Sequence, residues 1–258
     1  MVRRRWTTLL FVAATGVLPV ACKRSSADDG AASAATITKA STPSGADSLR
    51  ANSGVVAAGQ ADAGSPAGIQ HTVLFVGTSL TAGLGLNPDS AYPQLVQQKI
   101  TSEHLPFEVV NAGVSGETTA GLLRRMDWLM RGNFDVIVLE TGANDGLRGT
   151  PVATVKENLR NIVSQIRAKH PQAKVVLVQM EAPPNLGPEY TNAFHAMYPA
   201  VAREMGVTLM PFLLQGVAGD RALNQADGIH PNQHGEHIVA DNVWKTLEPV
   251  LKQLPTGL

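Results

Sequence analysis

The sequence predicts a doubly wound α/β domain built on a five-stranded parallel sheet, and two features carry that prediction. Short β-branched apolar runs lie at residues 72–76, 107–110, 135–140, 174–179 and 207–210. Longer amphipathic segments separate them at residues 92–102, 119–130, 151–169 and 189–205, with a last one over about 235–254. A short, nearly continuous apolar run suits a strand covered on both faces. Strand–helix alternation then reads as parallel strands joined by helical crossovers.

Each element has local support. The first run ends at Gly77-Thr78-Ser79, where the chain turns and can enter a helix. The second leads into Asn111-Ala112-Gly113-Val114-Ser115-Gly116-Glu117-Thr118, and the third into Gly142-Ala143-Asn144-Asp145. Pro151 suits the first turn of the helix that follows, and Gly206 suits the end of the helix before the fifth run. After the fifth run comes Asp227-Gly228-Ile229-His230-Pro231, and then the last helix. No internal repeat interrupts this order.

The N-terminal part is of another kind. Arg3, Arg4 and Arg5 precede an apolar run over about residues 9–21 that ends at Cys22. A basic start, a short apolar middle and a small residue before the break describe a signal peptide over residues 1–22. The run is short for a bilayer span, which wants about 20 residues. Cys22 is the only cysteine, so no intramolecular disulfide is available, and its position suggests acylation as a lipoprotein's first residue. Pro19 and Leu18 depart from the usual spacing of that motif, and an ordinary signal peptide remains the alternative. Residues 23–70 are dominated by Ala, Ser, Gly and Thr with few large apolar side chains. Such a stretch buries too little surface to offset its ordering entropy and is expected to be a disordered tether. Residues 71–258 then form one folded domain, expected to be a monomer.

Charge excludes one class of function. Twenty-one basic residues balance 21 acidic ones, and no Lys/Arg cluster occurs beyond the N-terminus, so nucleic acid is not an expected partner. The expected partners are a small substrate and, through Cys22, a membrane.

In doubly wound sheets ligands bind outside the carboxyl ends of the strands. The loops after runs one, two, three and five should therefore converge on one rim. Acyl transfer needs a hydroxyl nucleophile, a base and a group that orients the base. Ser79 supplies the hydroxyl, although a serine after a strand is often only a helix cap. Asp227 and His230 share a loop in which Pro231 disfavours a helical His230. The carboxylate can hold one ring nitrogen there while the other faces Ser79.

Two rival chemistries fail on their residues. His230, His234 and His237 suggest a metal set, but a zincin helix needs His-Glu-x-x-His and here proline follows His230. Gly77, Gly83 and Gly85 make neither G-x-G-x-x-G nor a P-loop, and Thr81 spoils the G-x-S-x-G elbow. Neither a metal nor a cofactor is expected.

These motifs together resemble the SGNH, or GDSL-like, hydrolases. Residues 77–86 are similar to the family's first block, 111–118 to its second, 142–149 to its third and 227–232 to its fifth. The resemblance runs from about Thr72 to Leu251 and is greatest to bacterial periplasmic acyl-thioesterases, arylesterases and lysophospholipases. It implies a flavodoxin-like, three-layer α/β/α fold with strand order 2-1-3-4-5. It also implies a serine esterase or thioesterase with Ser79, Asp227 and His230 as triad, cutting acyl esters through an acyl-enzyme. The oxyanion donors would be the Ser79 and Gly116 N–H groups and the Asn144 amide. One departure stands out: the family usually has aspartate just before the serine, and this chain has Thr78.

Substrate is less constrained. Leu84, Leu86, Leu147, Pro183, Pro184 and Leu186 fall in rim loops and could line an acyl groove or merely pack locally. A carbohydrate O-acetyl esterase and a tethered envelope protein with a decayed site stay open as alternatives.

Overall fold

The computed structural model describes residues 71–255. The expected signal peptide, Cys22 and the tether lie outside the described residues. Five parallel strands form one sheet: β1 (His71–Gly77), β2 (Phe107–Gly113), β3 (Val136–Leu139), β4 (Lys174–Val178) and β5 (Thr208–Met210). Their order is β2-β1-β3-β4-β5, as expected. The register pairs Val73 with Val109 on one side and with Val136 on the other. Val73 to Val76 and Val136 to Leu139 are all buried, because helices cover both faces.

Those helices are α1 (Ser79–Ala82), α2 (Tyr92–Ser102), α3 (Thr119–Leu129), α4 (Ala143–Leu147), α5 (Val152–Lys169), α6 (Pro188–Met205) and α7 (Gln233–Leu251). α2 packs on α7, while α5 packs between α3 and α6. Periodicity decides which face each helix buries. In α5, Val155, Leu159, Ile162, Val163 and Ile166 recur at helical spacing and are all fully buried. α6 stops where Gly206 adopts φ 57°, a left-handed conformation that glycine takes without Cβ strain.

Three boundaries differ from expectation. β2 continues to Gly113, so Asn111 to Gly113 belong to the strand and not to the loop. The cause is long-range: Gly77 still pairs with Gly113, and Asn111 Nδ2 donates to the Thr81 carbonyl at 2.8 Å. Asn144 stands in the short helix α4, not in an open loop. α7 begins at Gln233 because the Asn232 side chain accepts from the N–H groups of His234 and Gly235.

The chain runs from β1 outward to β2 and then crosses back to β3. The strand order therefore reverses between β1 and β3, which opens a crevice at their carboxyl ends. Gly77-Thr78-Ser79 and Gly142-Ala143-Asn144 border that crevice.

Candidate active site

The turn after β1 is tightly built. A Cβ on Gly77 would lie 1.9 Å from Thr81 Oγ1 and 2.6 Å from Glu140 Oε2, so only glycine fits there. Thr78 is extended and caps α1, its hydroxyl facing the Leu80 N–H. Ser79 is thus the first helical residue and not the cap, which frees its hydroxyl. It is 9% exposed.

The hydroxyl meets His230. Ser79 Oγ is 2.8 Å from His230 Nε2, and His230 Nδ1 is 2.6 Å from Asp227 Oδ2. The other oxygen, Asp227 Oδ1, accepts from the N–H groups of Ile229 and His230 at 2.9 and 3.0 Å. These bonds hold the carboxyl of Asp227 down at about 2, with the Ile229 N–H contributing most and the imidazole next. Asp227 is therefore an anion at any ordinary pH. A carboxylate only accepts, so Nδ1 carries the proton and Nε2 is left to accept from Ser79. His234 and His237 are exposed on α7, apart from this arrangement.

Two further groups border the same space. Gly116 has φ 77°, and a side chain there would meet nothing within 4 Å. Its carbonyl accepts from Arg148 Nη2 at 3.1 Å. Asn144 Nδ2 donates to the Glu117 carbonyl at 3.0 Å, which uses one amide hydrogen and leaves the second available. Glu117 is itself gripped by Arg125, at 2.7 Å to Nε and 2.6 Å to Nη2, and Arg125 also donates to the Ala112 carbonyl. A fork-to-fork pair of this kind fixes the loop that carries Gly116.

Ser79, His230, Gly116 and Asn144 all line one cavity of about 260 Å³. Its apolar wall comes from Leu80, Leu84, Leu147 and Ile229. Leu84, Leu147 and Ile229 remain 45, 51 and 48% exposed and gather at this one cavity, an apolar patch of the kind found at binding sites. Leu84 and Leu147 were among the expected rim residues. Leu86, Pro183, Pro184 and Leu186 do not line the cavity, while Ile229 does and gave no sign beyond its place beside His230.

Residues 75–238 match the model of the GDSL-like Lipase/Acylhydrolase family. The chain belongs to that family. It is 41% identical over 182 residues to Esterase TesA of Pseudomonas aeruginosa, covering 70% of this chain and 90% of that one. It is 37% identical over 181 residues to Thioesterase 1/protease 1/lysophospholipase L1 of Escherichia coli strain K12, covering 70% of this chain and 85% of that one. Among solved structures, the psychrotrophic esterase EstA from Pseudoalteromonas sp., inhibited by monoethylphosphonate, superposes with a TM-score of 0.68 at 32% identity. That match covers 71% of this chain and all of the other.

Against the GDSL-like pattern, the departure at Thr78 acquires a partner. The Thr78 N–H donates to Glu140 Oε2 at 2.7 Å, and the Thr78 hydroxyl lies 3.0 Å from each carboxyl oxygen. A hydroxyl thus stands beside Glu140 where the family's aspartate would set a second carboxyl. Burial pushes Glu140 up to about 7, against the pull of the Thr78 N–H and the threonine hydroxyls. Glu236 is pushed up to about 8 by burial, partly offset by the N–H of Tyr92, which it accepts at 2.8 Å.

Sequence reading missed Glu140, Glu117, Arg125 and Arg148. Glu140 was visible in principle, as a lone acid closing the apolar run Val136-Ile137-Val138-Leu139. The other three gave no local signal, since each acts through a backbone carbonyl or a partner set by folding.

Proposed function

We propose that this carboxylic ester hydrolase works through an acyl-enzyme formed on Ser79, with His230 as base and Asp227 as its orienting anion. The observation that carries the reading is the unbroken hydrogen-bonded chain Asp227–His230–Ser79, at 2.6 and 2.8 Å, on the wall of an apolar-rimmed cavity. His230 Nε2 takes the hydroxyl proton as Ser79 Oγ attacks the ester carbonyl. The carbonyl oxygen becomes negative and is met by the N–H groups of Ser79 and Gly116 and the free amide hydrogen of Asn144. His230 then returns the proton to the departing alcohol or thiol. Water, activated in turn by His230, releases the acid and restores Ser79.

The substrates are acyl esters with an apolar acyl or aryl part: aryl esters, acyl thioesters or lysophospholipids. Relatives named as an esterase and as a thioesterase and lysophospholipase support that range. The exposed side chains of Leu84, Leu147 and Ile229 favour it over a carbohydrate O-acetyl esterase, whose sugar would want polar walls. An intact chain of bonds from Asp227 to Ser79 also speaks against a decayed site.

Acyl-chain length tests the groove. Leu147→Asn should lower kcat/KM for p-nitrophenyl octanoate by about tenfold, the value of one partly covered leucine, and leave p-nitrophenyl acetate nearly unchanged. Equal losses on both esters would remove the apolar groove from the reading.

The same proposal includes export with a lipid anchor on Cys22, supported by the arginines at 3–5 and the apolar run before the cysteine. The wild type should sediment with membranes and carry the mass of a diacylglycerol-type anchor, and Cys22→Ser should abolish both. A wild type found cleaved, soluble and without that mass would remove the anchor and leave the enzyme.

A further inference from the structure

A carboxyl group with no cation beside it is costly to bury unless several donors satisfy it. Glu140 is fully buried, directly after β3, whose residues are Val136, Ile137, Val138 and Leu139. An apolar residue would suit that position better if packing were its only task. What Glu140 does instead is collect donors from one short turn. It accepts the Thr78 N–H at 2.7 Å, faces the Thr78 hydroxyl at 3.0 Å and accepts the Thr81 hydroxyl at 2.9 Å. Tyr92 completes the set, its hydroxyl 2.6 Å from Thr81 Oγ1. The two threonines bracket Ser79, and Gly77 leaves the carboxyl the room to reach them.

We propose that Glu140 is a positioning residue for the nucleophile: its carboxylate gathers Thr78 and Thr81, and so holds Ser79 where its hydroxyl meets His230. This rests on the assignment of Ser79 as nucleophile. Donor accounting makes the carboxylate the effective form. The Thr78 N–H can only donate, the Thr78 hydroxyl faces both oxygens, and the Thr81 hydroxyl donates to Oε2. Protonation would remove an acceptor site and add a hydrogen that competes for the turn's own bonds.

Among the described residues, no cation holds the anion in place. Tyr92 of α2 and Tyr198 of α6 are pushed up by burial and stay neutral. Asp145 of α4 is occupied by the N–H and hydroxyl of Thr119, and Glu236 of α7 by the N–H of Tyr92. With its own carboxyl raised to about 7, Glu140 changes charge within the assay range. Its folded value lies above the ordinary 4.5, so the active anion is lost as pH falls through about 7. Glu140 therefore adds to the activity profile a deprotonation that is not on the triad.

The test is kinetics on the full chain with Glu140→Gln, beside the wild type and Ser79→Ala. Displacement of a reacting group by a fraction of an ångström is expected to cut kcat by about 10- to 100-fold with little change in KM. On the acid side, log kcat should fall more steeply with falling pH in the wild type than in Glu140→Gln, because only the wild type loses the Glu140 anion near pH 7. Wild-type kcat in Glu140→Gln, an unaltered slope, or a rate loss that merely follows melting would overturn the proposal. If Glu140→Gln does not fold, Thr78→Ser and Thr78→Val decide. The serine should restore near-normal kcat and the valine should lose severalfold at constant KM, whereas equal rates would overturn the role. Activity in Ser79→Ala would instead overturn the nucleophile assignment. An inactive Ser79→Ala beside an unaffected Glu140→Gln sinks the positioning role alone.

Discussion

Ser79→Ala is expected to lose roughly 10⁴- to 10⁶-fold in kcat while the protein stays folded. In the proposed mechanism the hydroxyl is the atom that becomes acylated, so nothing nearby substitutes for it. Its own contribution to the fold is small, because its side-chain partner is the imidazole of His230. His230→Ala should fall into the same range, since Ser79 then keeps its proton. The double variant should be little worse than either single one, because in the proposed mechanism the two residues act as a unit. Asp227→Asn separates orientation from charge: the amide can still bond Nδ1 but can present a hydrogen to it, favouring the wrong tautomer. Its loss should be large as well, on the order of 10⁴-fold, with melting unchanged. Burst kinetics on p-nitrophenyl esters and melting on the same sample decide these outcomes. Turnover near wild type in Ser79→Ala would end the serine-hydrolase mechanism, and complete inhibition by a chelator would point to a metal instead.

Asn144→Ala is the second large effect, about 10²–10³ in kcat, the range for one oxyanion donor. The amide would donate to an oxygen that is strongly negative only in the tetrahedral intermediate, so kcat should suffer more than KM. Geometry adds a complication that must be separated. Asn144 Nδ2 also donates to the Glu117 carbonyl at 3.0 Å, so alanine removes a loop contact together with the proposed oxyanion donor. The Glu117–Arg125 pair and the Arg148 bond to the Gly116 carbonyl remain to hold that loop. Melting should therefore shift little while kcat collapses. Near-normal kcat, or lost activity that tracks unfolding, would assign Asn144 to the loop and not to the oxyanion.

Much of this was legible in the order of residues, for physical reasons. Central strands buried on both faces must be apolar throughout, edge strands keep a shorter apolar run, and helices must bury one stripe, so these patterns located all five strands and the five longer helices. The doubly wound rule then brought the loops carrying Ser79, Gly116, Asn144 and His230 to one rim. Asp227 and His230 are three residues apart, so the turn before Pro231 joined them without help from the rest of the fold. The meeting of His230 with Ser79, across 151 positions of sequence, was expected from chemistry but needed the sheet order to be realised.

What the tertiary structure alone decided is the support beneath those groups. Whether Asn111 belongs to a strand or a loop depends on its bond to Thr81, 30 residues away. Whether Leu84 or Leu86 faces the cavity depends on a turn ended by Gly83 at φ 68°, which no periodicity records. Glu140 and Thr78 lie 62 residues apart, and an acid at a strand end says nothing by itself of what it will accept from. Local chemistry and hydrophobic periodicity act over a few residues and are printed in the sequence. Hydrogen bonds that satisfy a buried carboxyl, or lock a glycine loop through Glu117 and Arg125, exist only once distant segments are packed together.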